Sequence, residues 1–347
     1  MKLLYGVQGT GNGHISRARA IAAALKKHPE VEVTWLFSGR PKDQFFDMDI
    51  FGDYEWREGL TFITRNGKIH NIETLLAASP ITFIHDIRQL DLNSYDLIAT
   101  DYEPVTAWAA RLQKRDAIGI GHQYSFNYPV PLAGENYLTR KIMQWFAPVS
   151  LSLGLHWHHF GHPILPPIAE VHRPSKAPIE NQVLVYVPFE NNRSVIELLK
   201  PLTQYDFYVY SPGLPDSDNA HIHTRKPSRE GFQTTLANSS YVISNCGFEL
   251  ISEAIMLGKR ILTKPVLGQM EQQSNAQALQ ELGLASVSYH LDTDTIKNWL
   301  AQKETPVAIH YPNVPAAICD WLVDNSRPNA QVLSDQLWQS TKFIARA

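Results

Sequence analysis

Gly9-Thr10-Gly11-Asn12-Gly13-His14 joins an apolar run, Leu3 to Val7, to an Ala- and Arg-rich stretch, Ile15 to Leu25. Glycines on alternate positions let the backbone turn sharply and leave its N–H groups uncovered. A helix starting here adds unpaired N–H groups and a positive dipole end, which favour an anion or polar ligand. His14 adds a group that gains or loses a proton near neutral pH. As a general base it needs a free ring nitrogen facing a cleft; the alternative is a histidine that binds substrate oxygens without proton transfer. Asp101 and Glu103 follow the apolar run Leu97–Thr100. Either carboxylate can bind hydroxyls, orient His14 or act as the base itself. Either can equally be a helix cap in front of Pro104. His122 and Gln123 form a third polar cluster behind Ala117–Ile120.

The second strong feature is Asn245-Cys246-Gly247-Phe248-Glu249, continuing through Glu253. A small residue and a glycine at a helix start expose N–H groups suited to phosphate. Glu249 and Glu253, four apart, share a helical face. A carboxylate one or two turns beyond a phosphate site is placed to accept both hydroxyls of a ribose; the plainer reading is a solvated acidic first turn. Gln269, Glu271 and Gln272 lie in an amide-rich loop, Gly268–Asn275. Amides offer donors and acceptors in fixed pairs, as sugar hydroxyls require.

Other chemistries fit less well. A dinucleotide fingerprint needs Gly-x-Gly-x-x-Gly and an acid after the second strand; here the spacing is Gly-x-Gly-x-Gly, and Ser38-Gly39-Arg40 follows that strand. Arg40 leaves room only for a 2′-phosphate, hence for NADP. No P-loop pattern occurs. His156, His158, His159 and His162 match no zinc spacing, so no metal and no cofactor is expected.

These residues need a scaffold that brings strand ends together. The 347 residues are long enough for two domains, and 44% hydrophobic with 19% charged residues indicates a globular chain. A net charge of −3 argues against nucleic acid as a partner. Two cysteines, Cys246 and Cys319, make no disulfide framework. With no signal-peptide pattern and no apolar run of spanning length, a cytoplasmic location is expected. Strand and helix patterns alternate up to Ile120 and again from Val183, predicting two doubly wound α/β sheets. A strand is expected at 60–64 and a helix at 72–76. Pro163, Pro166, Pro167, Pro174 and Pro178 fall within sixteen positions and read as a stiff linker. We therefore expect domains at 1–165 and 166–328, then a C-terminal segment, 329–347. Ligands of such sheets bind beyond the carboxyl ends of the strands.

Taken together the motifs resemble the GT-B glycosyltransferases, in particular the family 28 type that includes the peptidoglycan-precursor N-acetylglucosaminyltransferase. The resemblance covers most of the chain. It is closest over Gly9–His14 and 241–282. Gly161-His162-Pro163-Ile164 is similar to that family's interdomain Gly-Asn-Pro-Val. It implies two Rossmann-like domains facing a cleft and an inverting, metal-independent transfer from a nucleoside-diphosphate sugar, most often a UDP sugar, to an acceptor hydroxyl. His14, Asp101 and Glu103 would be catalytic. Gly11, Asn12, Gly13, Asn245, Cys246, Gly247, Phe248, Glu249, Glu253, Gln269, Glu271 and Gln272 would bind the nucleotide sugar, with Glu253 on the ribose. His122 and Gln123 would face the acceptor, and the last helix would return to the N-terminal domain. Two departures stand out. Pro188-Phe189-Glu190-Asn191-Asn192 lacks the family's second glycine-rich loop, and Cys246 and Phe248 replace small residues.

Three rivals are a UDP-sugar 2-epimerase or hydrolase on this fold, a nucleotide-sugar-binding protein without catalysis, and an NADP oxidoreductase. Arg140, Lys141, Met143, Trp145 and Phe146 share one expected helix, which raises peripheral contact with an anionic membrane. An ordinary amphipathic helix with a basic outer face explains the same residues.

Overall fold

The computed structural model describes residues 1–60, 64–65, 68–69, 79–134, 137–169, 171, 177–303 and 305–345. The helix expected at 72–76, most of the strand expected at 60–64, and Pro174 lie outside the described residues.

The first half runs β1 (Lys2–Gln8), α1 (Asn12–Leu25), β2 (Glu32–Ser38), β3 (Glu55–Trp56), a short antiparallel pair β4 (Thr64–Arg65) and β5 (Lys68–Ile69), α2 (Pro80–Gln89), β6 (Leu97–Asp101), α3 (Pro104–Leu112), β7 (Ile118–Gly121), α4 (Tyr137–Phe146) and β8 (Leu151–Gly154). The second runs β9 (Ile179–Tyr186), α5 (Asn192–Leu199), β10 (Asp206–Tyr210), β11 (Ser217–Asn219), β12 (Ile222–Arg225), α6 (Arg229–Asn238), β13 (Ser239–Asn245), α7 (Phe248–Met256), β14 (Arg260–Lys264), α8 (Met270–Glu281), β15 (Ser286–Val287) and α9 (Thr293–Ala301). The chain ends with β16 (Val307–His310), α10 (Val314–Val323), α11 (Ala330–Gln339) and β17 (Lys342–Ala345).

The first sheet has the order β3-β2-β1-β6-β7-β8 and is parallel throughout. The second has the order β11-β12-β10-β9-β13-β14-β15; only β11 is antiparallel. Leaving β11 aside, both are doubly wound sheets whose order reverses once, beside β1 and beside β9. The reversal opens a crevice at the carboxyl ends of β1 and β6, where Val7 pairs with Asp101. The matching crevice in the second sheet lies between β9 and β13.

One apolar cluster runs from Tyr5 and Ile21 of the first half through Trp157 and Phe248 to Leu184 and Val242 of the second. The halves thus share a core. The proline-rich segment is part of it: Ile164 and Leu165 are fully buried, and the Ile164 carbonyl accepts from Ser334 Oγ at 2.8 Å and Trp338 Nε1 at 2.7 Å. It is a packed crossing, where the sequence suggested a spacer. The chain is already back against α1 of the first half at α10, whose Cys319 packs on the Ile21 carbonyl. After α11 it turns into β17, which pairs with β16. The sequence reading missed α10, β8 and this closing hairpin, and started α8 at Gln272, two residues late.

Of the loop glycines, Gly9 is sterically required and Gly13 is tightly packed. A Cβ at Gly9 would lie 2.7 Å from the Ser38 carbonyl oxygen and 2.6 Å from Phe45, and one at Gly13 would meet the Glu249 side chain at 3.3 Å. At Gly11 it would meet nothing within 4 Å. Overpacking against a backbone atom is costly, so Gly9→Ala should lower unfolding free energy by about 1–3 kcal/mol in guanidinium titration. A wild-type midpoint would show that the loop is looser than this packing.

Candidate functional site

α1 places His14 and Arg17 three residues apart, on one face. His14 Nδ1 lies 2.8 Å from Asp101 Oδ1 and 2.7 Å from Arg17 Nη2. A guanidinium offers only protons and a carboxylate only lone pairs, so Nδ1 serves one of them at a time. Arg17 already gives Asp101 two hydrogen bonds, Nε at 2.9 Å and Nη2 at 2.7 Å. The Nδ1 proton therefore goes to the carboxylate, a charge-assisted bond. That leaves Nε2 with its lone pair on the cleft side, 3.5 Å from Gln123 Nε2. Gln123 Nε2 in turn donates to Glu271 Oε2 at 3.0 Å.

Asp101 is fully buried. Burial alone would push its carboxyl up; the charges of Arg17 and His14 outweigh that and hold it below its ordinary value. Between Asp101 and Glu103 the backbone passes through a left-handed residue, Tyr102, at φ 56°. Such a conformation costs a bulky residue about 1–3 kcal/mol. It turns the two neighbouring carboxylates to different tasks. Glu103 Oε1 accepts from Val105 N at 2.7 Å and Ser38 Oγ at 2.6 Å, and its Oε2 from Thr106 N at 2.7 Å. Glu103 is the N-cap of α3, and its oxygens are committed there. The catalytic role expected for it is corrected to a structural one.

Helix starts separate the site from the rest of the fold. α2, α3, α5, α6, α9, α10 and α11 are each capped by a side chain: Ser79, Glu103, Asn191, Ser228, Asp292, Asn313 and Asn329. α1, α7 and α8 carry no side-chain cap. Those three starts are neighbours: Gly13 faces Glu249, Gln272 of α8 accepts from Cys246 N at 3.1 Å, and Glu271 reaches Gln123. Beyond Gly247, which precedes α7, a Cβ would meet nothing within 4 Å.

Arg17 ties the halves together. Its Nη1 bonds Glu249 of α7, while its other nitrogens hold Asp101. Sequence reading passed over Arg17; the available signal was an arginine one turn after His14 in an Ala-rich helix. Asn275 was missed too. It donates to the Cys246 carbonyl at 3.0 Å and puts Oδ1 2.7 Å from His122 Nε2.

Several expected ligand residues instead build the walls. His122 is fully buried, stacked on Phe248 at 3.9 Å, with Nδ1 2.8 Å from the Leu155 carbonyl. It is an interface residue and is corrected from its acceptor-side place; burial pushes its pKa down. Gln272 is buried and takes Cys246 N and Val266 N on one oxygen. Cys246 is buried, and its thiol is pushed up to about 12. Asn245 reaches Lys264 O at 3.1 Å and Glu190 at 3.4 Å. Glu190 pairs with Lys264 at 2.7 Å, so the segment that lacks glycines is closed by side chains. Arg40 braces Asn12 and the Thr10 carbonyl, which occupies it with the loop and removes the rationale for NADP. Glu253 and Gln269 are partly exposed. Three buried acceptor atoms at this cleft, Gln123 Oε1, Glu249 Oε2 and Gln269 Oε1, have no hydrogen-bond partner.

The histidines after β8 do not converge. His156, His158 and His159 each accept a backbone N–H on Nδ1, and among the described residues no three His, Cys, Asp or Glu are grouped to hold a metal ion. On α4, Phe146 is buried against Tyr102 while Ile142 and Trp145 are exposed. Among the described residues no helix is long and apolar enough to cross a membrane.

Two doubly wound sheets with their switch points facing across such a cleft define a GT-B glycosyltransferase. The chain matches glycosyl transferase family 1 over residues 1–303 and belongs to that family. No curated protein matches it in sequence. Among solved structures it is similar to the glycosyltransferase SnogD from Streptomyces nogalater, at 12% identity and TM-score 0.55, covering 98% of this chain and 99% of that one. Similar likenesses are to MurG from Acinetobacter baumannii (14%, 0.52, covering 97% and 99%) and to VinC in complex with dTDP (13%, 0.53, covering 98% and 99%). At these identities they show the fold.

The depressed Asp101 carboxyl predicts a pH effect. Its stabilisation is complete above the ordinary value of 3.8 and is lost as pH falls through the lower value of the folded state. Wild-type stability should therefore fall below about pH 4, and Asp101→Asn should flatten that limb. Superimposable acid limbs would mean that Asp101 is not held by Arg17 and His14.

Proposed function

We propose that this glycosyltransferase moves a sugar from a nucleoside-diphosphate donor, in the first instance a UDP sugar, to an acceptor hydroxyl with inversion and without a metal ion. The observation that carries this reading is the meeting of the three uncapped helix starts beside the His14–Asp101 pair. Helix N-termini attract phosphate, each worth about 0.3–2 kcal/mol for a negative charge. The diphosphate would sit before Gly247 and Phe248, where α7 starts, with Gly11, Asn12 and Gly13 opposite. The charge that develops as it leaves would be met by the fixed dipoles of these helix starts, a task a metal performs elsewhere. Glu253, one turn after Glu249, is assigned to the ribose. The orphaned oxygens of Glu249 and Gln269 suit the hydroxyls of the donor sugar, and that of Gln123 an acceptor hydroxyl, since buried acceptors gain most from a partner. Domains at 1–165 and 166–328 belong to this reading.

His14 Nε2 takes the acceptor proton. Asp101 keeps the Nδ1 tautomer and stabilises the imidazolium that forms. The acceptor oxygen attacks the anomeric carbon on the face opposite the diphosphate, and the bond to the diphosphate oxygen breaks with its electron pair.

General-base removal costs roughly 10²–10⁴-fold. His14→Ala should lower kcat by that factor while UDP still raises the melting temperature. A wild-type kcat would remove His14 from the chemistry. Turnover should also survive EDTA; loss that added magnesium or manganese restores would overturn the metal-free step.

A further inference from the structure

His122 follows directly on β7, and its ring touches both halves. It is fully buried and lies flat on Phe248, the first residue of α7, with ring centroids 3.9 Å and planes 5° apart. Nδ1 is 2.8 Å from the Leu155 carbonyl of the first half, and Nε2 is 2.7 Å from Asn275 Oδ1 of α8. The Leu155 oxygen only accepts hydrogen bonds. The Asn275 amide is oriented by its other end, where Nδ2 donates to the Cys246 carbonyl at 3.0 Å. Turning that amide over would set two oxygens against each other. Both ring nitrogens therefore face acceptors, at the separations of made hydrogen bonds. A neutral imidazole has one N–H and would leave lone pairs in contact on one side; an imidazolium has two and satisfies both. The contacts are those of a charged ring.

The surroundings pull in both directions. Burial is the largest influence and favours the neutral ring; Glu271 of α8, the Leu155 carbonyl and Asn275 favour the charged one, and Arg17 of α1 opposes it. His156, with its ring 5.2 Å away, stays neutral: its Nδ1 accepts the Trp157 N–H at 2.9 Å, and burial pushes its pKa well down. Phe248 offers a ring face, which attracts a cation. His122 thus takes up its proton as pH falls and gives it up as pH rises. The proton acts on the start of α7 by two routes. Asn275 links Nε2 to the Cys246 carbonyl, next to Gly247, and the stacked ring lies against Phe248 where α7 has no side-chain cap. Charge on the ring adds to the positive end of the α7 dipole.

We propose that His122 is a positioning residue of the donor site, whose protonated ring braces the start of α7 from behind and makes binding of the nucleoside diphosphate proton-linked. The proposal rests on the donor reading above. A diphosphate at Gly247 and Phe248 favours the charged ring, and by reciprocity the charged ring favours the diphosphate. His122 acts through Phe248 and Asn275 and takes no part in the transfer itself.

The test uses the full chain with isotope-labelled histidine rings. UDP-glucose and dTDP-glucose are the probes, because their diphosphate has no terminal group to gain a proton near neutral pH. Ring-nitrogen NMR spectra are recorded between about pH 5.5 and 8.5, and the His122 signals are assigned through their contacts with the Phe248 ring. His122 should carry a proton on both nitrogens at the acid end, and a bound probe should move its midpoint to higher pH. Calorimetric titration should show probe affinity rising roughly fivefold or more as pH falls across that midpoint. The rise should persist in His14→Ala and vanish in His122→Gln. A His122 ring with a single proton throughout, probe bound or free, overturns the proposal, and this result needs no variant to fold. So does a pH dependence of binding that His122→Gln leaves intact or that His14→Ala abolishes. Absence of binding by either probe at every pH, with the ring doubly protonated in acid, would overturn the donor reading instead.

Discussion

Arg17 is the contact on which the arrangement depends. It is a buried cation, and a buried cation must be paired in full or the fold loses several kcal/mol. Its partners come from the two halves: Asp101 from the end of β6 and Glu249 from the first turn of α7. Satisfying Arg17 therefore fixes how the halves meet. It also fixes the charge on Asp101, and through Asp101 the tautomer of His14. One side chain thereby links domain packing to the protonation state of the proposed base.

Capping gives the second constraint. The seven other helices whose starts are described spend a side chain on their first N–H groups, because unpaired donors are costly. α1, α7 and α8 forgo this where they meet. A fold that leaves three starts open at one place brings their positive dipole ends together there. Arg17 and Glu249 stabilise that junction without covering the start of α7. The loop after β9 shows the opposite solution: Asn191 caps α5, and Glu190 pairs with Lys264.

Much of the architecture was readable because alternating strand and helix patterns and glycine spacing are local signals. β1, β6, β13 and α7 come within a residue or two of their sequence positions, and α1 within three. His14 with Asp101, and the open start at Gly247, were legible as strand-end chemistry. What was not legible depends on distant partners. Nothing local distinguishes Glu103 as a cap from Asp101 as an ion-pair partner; a single left-handed residue between them decides it. His122 reads as a site residue until Phe248, over a hundred positions later, covers it. The prolines at 163–167 read as a spacer until α11 packs on them. Arg17 looked like a helix-forming residue because its two partners lie far away in sequence.

The account's central claim is that the uncapped starts of α1, α7 and α8 hold the diphosphate. Residue-resolved hydrogen exchange with and without UDP tests this most directly. The account predicts slowed exchange confined to amides at Gly13–His14, Phe248–Leu250 and Met270–Glu271. UDP protection of the capped helices, with these amides unchanged, would contradict it.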